Sequence, residues 1–222
     1  YEVTIACEKA THWGDDIWTL HSDMKEARER FDCWVARVKS KLNADKVVMT
    51  VSGDSNWRKD ILPTYKANRK RKRKPLVYPQ LKEYCCDVYR TYAKHNLEAD
   101  DVLGLLAGNP GLARLKGEKI IVTIDKDLKT IPGLHYNPQK SDLGVVEVTK
   151  EQADYNHLFQ SLTGDSVDGY SGCPGIGPVT AERVLQYPCW GAVVEAYDLA
   201  GLSEEEALTQ ARVARILRWG EY

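Results

Sequence analysis

Apolar positions first divide the chain into elements. Met24, Ala27, Phe31, Trp34/Val35, Val38 and Leu42 repeat at helical spacing, predicting a helix N-capped by Ser22 and running to about Leu42. Lys46–Ser52, KVVMTVS, is a β-branched run of the buried parallel-strand type and ends in Gly53-Asp54. Leu81, Cys85, Val88 and Tyr92 share one helical face, predicting a helix from about Pro79 to Lys94. Leu97–Asp101 opens another, ending near Gly108-Asn109-Pro110. Lys119–Ile124, KIIVTI, is a second buried strand, ending in Asp125-Lys126-Asp127, and Val145–Val148 is a shorter one. Thr149-x-x-Gln152 is a capping-box pattern for a helix to about Leu162. Ser203 with Glu206 starts the last helix, to about Trp219. Residues 1–10 fit a strand or a helix start, with helix preferred. Strands alternating with helices predict an α/β fold with a mainly parallel central sheet flanked by helices, and a helical last third. The division expected is a core over 1–160 and a helical region over 161–222 packed on it.

Composition narrows the class. With 222 residues, 43% hydrophobic and 28% charged, the chain is an ordinary water-soluble type, and no apolar run approaches a membrane span. The six cysteines form no C-x-x-C pair, which fits a reducing, cytoplasmic setting. A net charge of −1 says little, but base and acid are segregated along the sequence.

The acids fall in four groups at places where an α/β sheet presents ligands: Asp54 after the first strand, Glu98/Asp100/Asp101 at a helix start, Asp125/Asp127 after the second strand, and Asp165/Asp168. In a helical turn Asp165 and Asp168 would face one way, about 4.5 Å apart along the axis. Oxygen ligands of this kind suit Mg²⁺ or Mn²⁺ rather than zinc. Gathering so many like charges is unfavourable without cations. Arg58–Lys74 carries nine Lys/Arg and one acid, and reads as an arm for a phosphate backbone. Trp57, Tyr65 and Tyr78 suit either base stacking or core packing. Pro174-Gly175-Ile176-Gly177-Pro178 is a turn before a helical run from Val179, where glycines permit close approach of a phosphate.

Together these pieces resemble the 5′-nuclease family, the flap endonucleases and 5′–3′ exonucleases, and most of all the stand-alone exonucleases of tailed phages. The resemblance spans about 53–218. It rests on Asp54-Ser55-Asn56-Trp57-Arg58-Lys59, Tyr65-Lys66-Ala67-Asn68-Arg69, Leu97–Asp101, Thr123–Leu128, Gly164-Asp165-x-x-Asp168-Gly169 and Gly172–Pro178. It implies a PIN-like nuclease core with a helix–two-turn–helix DNA-binding region. It implies two divalent metal sites, Mg²⁺ with Mn²⁺ as a substitute: Asp54, Glu98, Asp100 and Asp101 for one, Asp125, Asp127, Asp165 and Asp168 for the other. Lys66 and Arg69 would contact the scissile phosphate. Arg58, Lys70, Arg71, Lys72, Gly172, Gly175, Ile176, Gly177, Thr180 and Arg183 would hold DNA, with K⁺ at the Gly172–Gly177 turn.

The implied activity is hydrolysis of phosphodiesters near 5′ ends of duplex or flap DNA, or of RNA–DNA hybrids, in phage or host DNA replication or degradation. The expected state is a monomer in the host cytoplasm without membrane attachment. Two departures stand out. The family opens with a strand bearing a further metal-binding Asp, and residues 1–10 match the helix after it, so the chain reads as a trimmed copy. Val179 stands where family members often carry Lys, which shifts a phosphate contact to Arg183. Rival readings are a PIN-type ribonuclease, a non-cleaving structure-specific DNA-binding module and a small-molecule phosphatase.

Overall fold

The computed structural model describes residues 2–109, 111, 114 and 116–221, without the side chains of Lys70 and Arg71. The chain divides into two compact units, Tyr1–Val51 with Arg71–Tyr92, and Ser52–Lys70 with Ala93–Tyr222. The α/β class stands. The described strands form three small sheets, in which two of the four strand pairings are parallel.

In the first unit, α1 (Glu2–Ala6) precedes an antiparallel hairpin of β1 (Glu8–His12) and β2 (Trp18–Ser22). Both readings of residues 1–10 are therefore partly met, helix first and strand after. Helix α2 (Met24–Lys41) begins one residue later than expected. Asp23 is its N-cap, accepting from the Glu26 N–H at 2.8 Å, because Ser22 is held in β2. Ala27 and Val35 turn inward, and Cys7, Ala27, Val77 and Leu81 form a small core. β3 (Met49–Thr50) pairs in parallel with β4 (Thr91–Tyr92). That pairing ends α4 (Tyr78–Val88) before Lys94: Tyr92 continues the helical period, but its backbone is taken by the sheet.

The second unit carries α3 (Arg58–Ile61), α5 (Ala99–Gly108) and the sheet β5 (Ile120–Val122), β6 (Gly133–Tyr136), β7 (Val145–Val148). β5–β6 is parallel and β6–β7 antiparallel. Ile121, Leu128, Ile131 and Ile216 pack beneath β5 and fix the turn that follows it. Helices α6 (Lys150–Thr163), α7 (Pro178–Val184), α8 (Trp190–Leu199) and α9 (Glu204–Ala214) enclose Leu162, Leu185, Val193 and Tyr197. Each such buried side chain contributes about 1.5–3 kcal/mol, and the Tyr197 hydroxyl donates to the Ser161 carbonyl at 2.7 Å. Both capping boxes form as expected, Thr149/Gln152 on α6 and Ser203/Glu206 on α9. The last helix stops at Ala214, five residues early, because the segment beyond it turns back on α5 through the Leu217 N–H to Asp101.

α6 is terminated at Gly164, which has φ +64°. A Cβ there would lie 2.3 Å from the Ser171 carbonyl carbon, and one on Gly172 would lie 2.3 Å from the Gly164 nitrogen. The two glycines let two backbone segments cross in contact. This crossing shapes the loop that carries Asp165 and Asp168.

Candidate active site

Three local structures deliver carboxylates within the second unit. Glu98, Asp100 and Asp101 stand at the start of α5, where acidic residues are favoured by the exposed N–H groups. Asp125 caps the 3-10 turn Lys126–Thr130 after β5, its Oδ1 accepting the Asp127 N–H at 2.9 Å. Asp165 and Asp168 lie in a tight turn closed by Asp165–Tyr170 backbone bonds, not in the helix expected for them. α6 has already ended at Gly164. Asp165 Oδ1 accepts the Val167 and Asp168 N–H groups at 2.7 and 3.2 Å, so one of its oxygens serves the turn itself.

The cations sort these acids. Lys66 Nζ lies 2.6 Å from Glu98 Oε1 and 3.3 Å from Asp168 Oδ2, and Arg69 pairs with Asp168 Oδ1. The Tyr65 hydroxyl donates to Glu98 at 2.9 Å and to Asp168 at 3.2 Å. The Lys66 N–H donates to the Asp168 carbonyl at 2.7 Å, and Asn68 Nδ2 to the Val167 carbonyl at 3.2 Å. The 65–69 segment is thereby fastened to the 165–168 turn. Burial opposes ionisation of Glu98, yet Lys66 and Arg58 hold its carboxyl below the usual range. Burial and the Glu98 charge push the Tyr65 hydroxyl far above its ordinary value.

Asp100, Asp125, Asp127 and Asp165 form no ion pair among the described residues. Burial first, then the charges of Asp125 and Glu98, push the Asp100 carboxyl up to about 6. Burial, then Asp125, Asp165 and Asp168, likewise push Asp127 up to about 6. A set of oxygen donors that raise one another's proton affinity matches what a hard divalent cation requires, and among the described residues the leading charges on Asp100 and Asp127 include no histidine or thiol. Among the described residues, no three His, Cys, Asp or Glu groups already stand close enough to enclose an ion.

Several expected site residues have other places. Arg58, read as part of the DNA arm, is only 2% exposed. Its guanidinium reaches Asp101 through two bonds of 2.7 Å, Glu98 at 3.2 Å and the Val213 carbonyl at 2.9 Å, so it faces no ligand. Asp101 is fully buried, and both oxygens are occupied by Arg58, with the Trp57 indole and the Glu98 and Leu217 N–H groups completing its shell. It fixes the helix start instead of offering oxygens to a cation. Asp54 is exposed and its carboxylate accepts from His95 Nδ1 at 2.8 Å; its own backbone N–H and His95 lower its pKa. It is not among the leading charges acting on Asp100 or Asp127. Gly172 is buried and its N–H donates to Gln210 Oε1 at 3.0 Å, which removes it as a phosphate contact.

Gly175, Gly177 and Arg183 are exposed, Ile176 and Thr180 half-buried, and Lys72 exposed. The expected contacts Lys70 and Arg71 have side chains outside the described residues. Tyr65 is buried in a cluster with Tyr170 and Val213, while Trp57 donates to Asp101 at 3.3 Å. Two contributors escaped the sequence reading. His95 carries no local signal. Gln160 donates to Asp127 Oδ1 at 2.6 Å, and its spacing of four from Asn156 on one face of α6 was a signal available in the sequence.

The family model described as "5′-3′ exonuclease, N-terminal resolvase-like domain" matches residues 24–152. The exodeoxyribonuclease of Enterobacteria phage T3 is 31% identical over an alignment of 261 positions covering 100% of this chain and 85% of that protein. The exonuclease of Escherichia phage T7 is 30% identical over 100% of this chain and 86% of its own length. A flap endonuclease Xni of Shewanella is 29% identical over 74% of this chain and 66% of its own. Among solved structures, the phage T5 5′-exonuclease with zinc bound superposes with a TM-score of 0.65 at 15% identity, over 84% of this chain and 80% of that one. The T5 flap endonuclease with DNA and metal ions gives 0.61 at 15%, over 84% and 79%. These T5 likenesses establish the shared fold. By the family match and the phage relatives, the chain belongs to the 5′–3′ exonuclease family.

Proposed function

We propose that this chain is a divalent-cation-dependent 5′–3′ exonuclease of the structure-specific 5′-nuclease type, hydrolysing phosphodiesters near DNA 5′ ends. The observation that carries the reading is the division of charge at the site. Asp100, Asp125, Asp127 and Asp165 are acids without ion-pair partners among the described residues, beside two cations, Lys66 and Arg69, that are already ordered. Cations suit the acids, and a phosphate suits Lys66 and Arg69. Two Mg²⁺ ions, with Mn²⁺ as substitute, would supply Lewis-acid polarisation of the phosphate and a water of lowered pKa.

The residues that would hold them are Asp100 with Glu98, and Asp125, Asp127 and Asp165 with Asp168. Asp101 and Arg58 position this set. Lys66 and Arg69 act on the phosphate as preorganised positive charge. The exposed Gly175–Gly177 turn with Thr180 and Arg183, and Lys72 on the arm, bind the backbone of the duplex. Such contacts orient DNA without reading bases, so substrates are selected by end and structure. The reading extends to K⁺ at the 172–177 turn and to a monomer acting on duplex or flap DNA in the cytoplasm.

Asp125→Asn tests it, because an amide oxygen still accepts the Asp127 N–H and preserves the turn. Release of 5′ products should fall at least a hundred-fold while binding of duplex DNA is kept. Equal turnover by the variant and the parent would remove Asp125 from the machinery.

A further inference from the structure

Helix α6 presents a polar stripe to the turn after β5. Asn156 Nδ2 donates to the Lys129 carbonyl at 3.0 Å and so fixes the backbone of that turn. One helical turn on, Gln160 Nε2 donates to Asp127 Oδ1 at 2.6 Å. The main chain of Gln160 is engaged too, its carbonyl accepting the Gly164 N–H that ends α6 just before Asp165. Gln160 therefore touches the Asp127 carboxylate by its side chain and sets the start of the 165–168 turn by its backbone. Its remaining polar atom is anomalous: the carbonyl Oε1 is buried and has no hydrogen-bond partner among the described residues. A buried acceptor left unpaired is unfavourable, and packing a helix does not require one. Leucine or methionine would fill the place without it.

We infer that Gln160 is the positioning residue for the second cation site: it holds one oxygen of Asp127 so that the other is presented to the ion, and its unpaired carbonyl accepts from a water that is ordered there when the cation binds. The inference rests on the metal-dependent reading above. Donation from an amide to a carboxylate that has no cationic partner fixes the rotamer without neutralising the charge. Lysine or arginine at 160 would compete with the ion. Partners of this kind, standing behind a ligand, typically govern ten- to a hundred-fold of metal affinity.

The test is Mn²⁺ binding to the full chain in the absence of DNA, followed by electron paramagnetic resonance, with thermal melts of the metal-free protein alongside. Gln160→Leu should weaken one class of Mn²⁺ site about ten-fold or more, while the metal-free protein still melts in one cooperative transition, the lost donation to Asp127 being set against removal of the unpaired acceptor. In an Asp127→Asn background the same Gln160→Leu change should have little further effect on Mn²⁺, because its route runs through Asp127. Unchanged Mn²⁺ binding in Gln160→Leu, or the same loss in both backgrounds, would overturn the inference. Parent protein that binds no Mn²⁺ would overturn the metal reading, and this inference with it.

Discussion

Replacing Arg58 by methionine isolates the buried ionic knot beneath the acids. Methionine keeps an unbranched stem of similar length and removes the guanidinium. Asp101, fully buried, would then lose both 2.7 Å bonds and its only ion-pair partner among the described residues. It would keep three weak donors, Trp57 Nε1 at 3.3 Å and the Glu98 and Leu217 N–H groups at 3.2 Å. The Val213 and Arg215 carbonyls would lose their donor as well. Breaking a buried pair from one side costs about 3–5 kcal/mol. For a chain of this size that lowers the melting temperature by roughly 10 °C. Urea unfolding followed by circular dichroism reads the loss directly. The double variant Arg58→Met/Asp101→Asn separates charge from packing, because the amide oxygen can still accept from the Trp57 indole and the Glu98 N–H, which share one oxygen of Asp101, while the buried charge is gone. It should recover at least about 2 kcal/mol of what the single change removed. A loss below about 1 kcal/mol in Arg58→Met, or a double variant that is simply additive, would refute the account of Asp101 as a structural acid.

Other outcomes follow from the same structure. Burial and the neighbouring Arg215 and Arg218 push the His157 imidazole down to about 4, although its bond to the Ala211 carbonyl at 2.9 Å acts the other way. A histidine held neutral binds fewer protons folded than unfolded, so its stabilising effect is full above the unfolded value of 6.5 and is lost as pH falls toward 4. The span corresponds to on the order of 3 kcal/mol, and His157→Gln should flatten the stability–pH curve over that range. Gly164→Ala places a Cβ 2.3 Å from backbone at φ +64°, and should cost at least about 2 kcal/mol with loss of cleavage, read by melting and by product release. Lys66→Met should reduce the single-turnover cleavage rate by about 10²–10³-fold while the chain still binds duplex DNA; a wild-type rate would mean that Lys66 only braces Glu98.

What the sequence made legible was local. The capping boxes at Thr149/Gln152 and Ser203/Glu206 are complete within four residues each, and both form. β5 and β7 announced themselves by β-branched runs. The β1–β2 hairpin did not, because its strands EKATH and WTLHS carry no buried face, and Trp18 is 59% exposed. β6 was hidden by its length of four residues and by a buried histidine, His135, whose Nε2 is satisfied by the Ile131 carbonyl. At the site, Asp54, Glu98, Asp100, Asp101, Asp125 and Asp127 were visible by their place after a strand or at a helix start, and Asp165 and Asp168 by their spacing of three. Their division into distinct roles was not, because the partners come from far along the chain: Arg58 lies 43 residues from Asp101, and Arg69 lies 99 from Asp168. A block of 17 residues with nine Lys/Arg reads as a solvated arm, and nothing in it marks Arg58 as the one drawn into the interior.

The most direct test of the central claim is product release from 5′-labelled duplex and flap DNA, with the chain supplied with Mg²⁺ or with EDTA. The account predicts short 5′-labelled products in Mg²⁺, none in EDTA, and none in Mg²⁺ from Asp125→Asn. Binding of both DNAs without cleavage in Mg²⁺, or cleavage undiminished by EDTA, would contradict it.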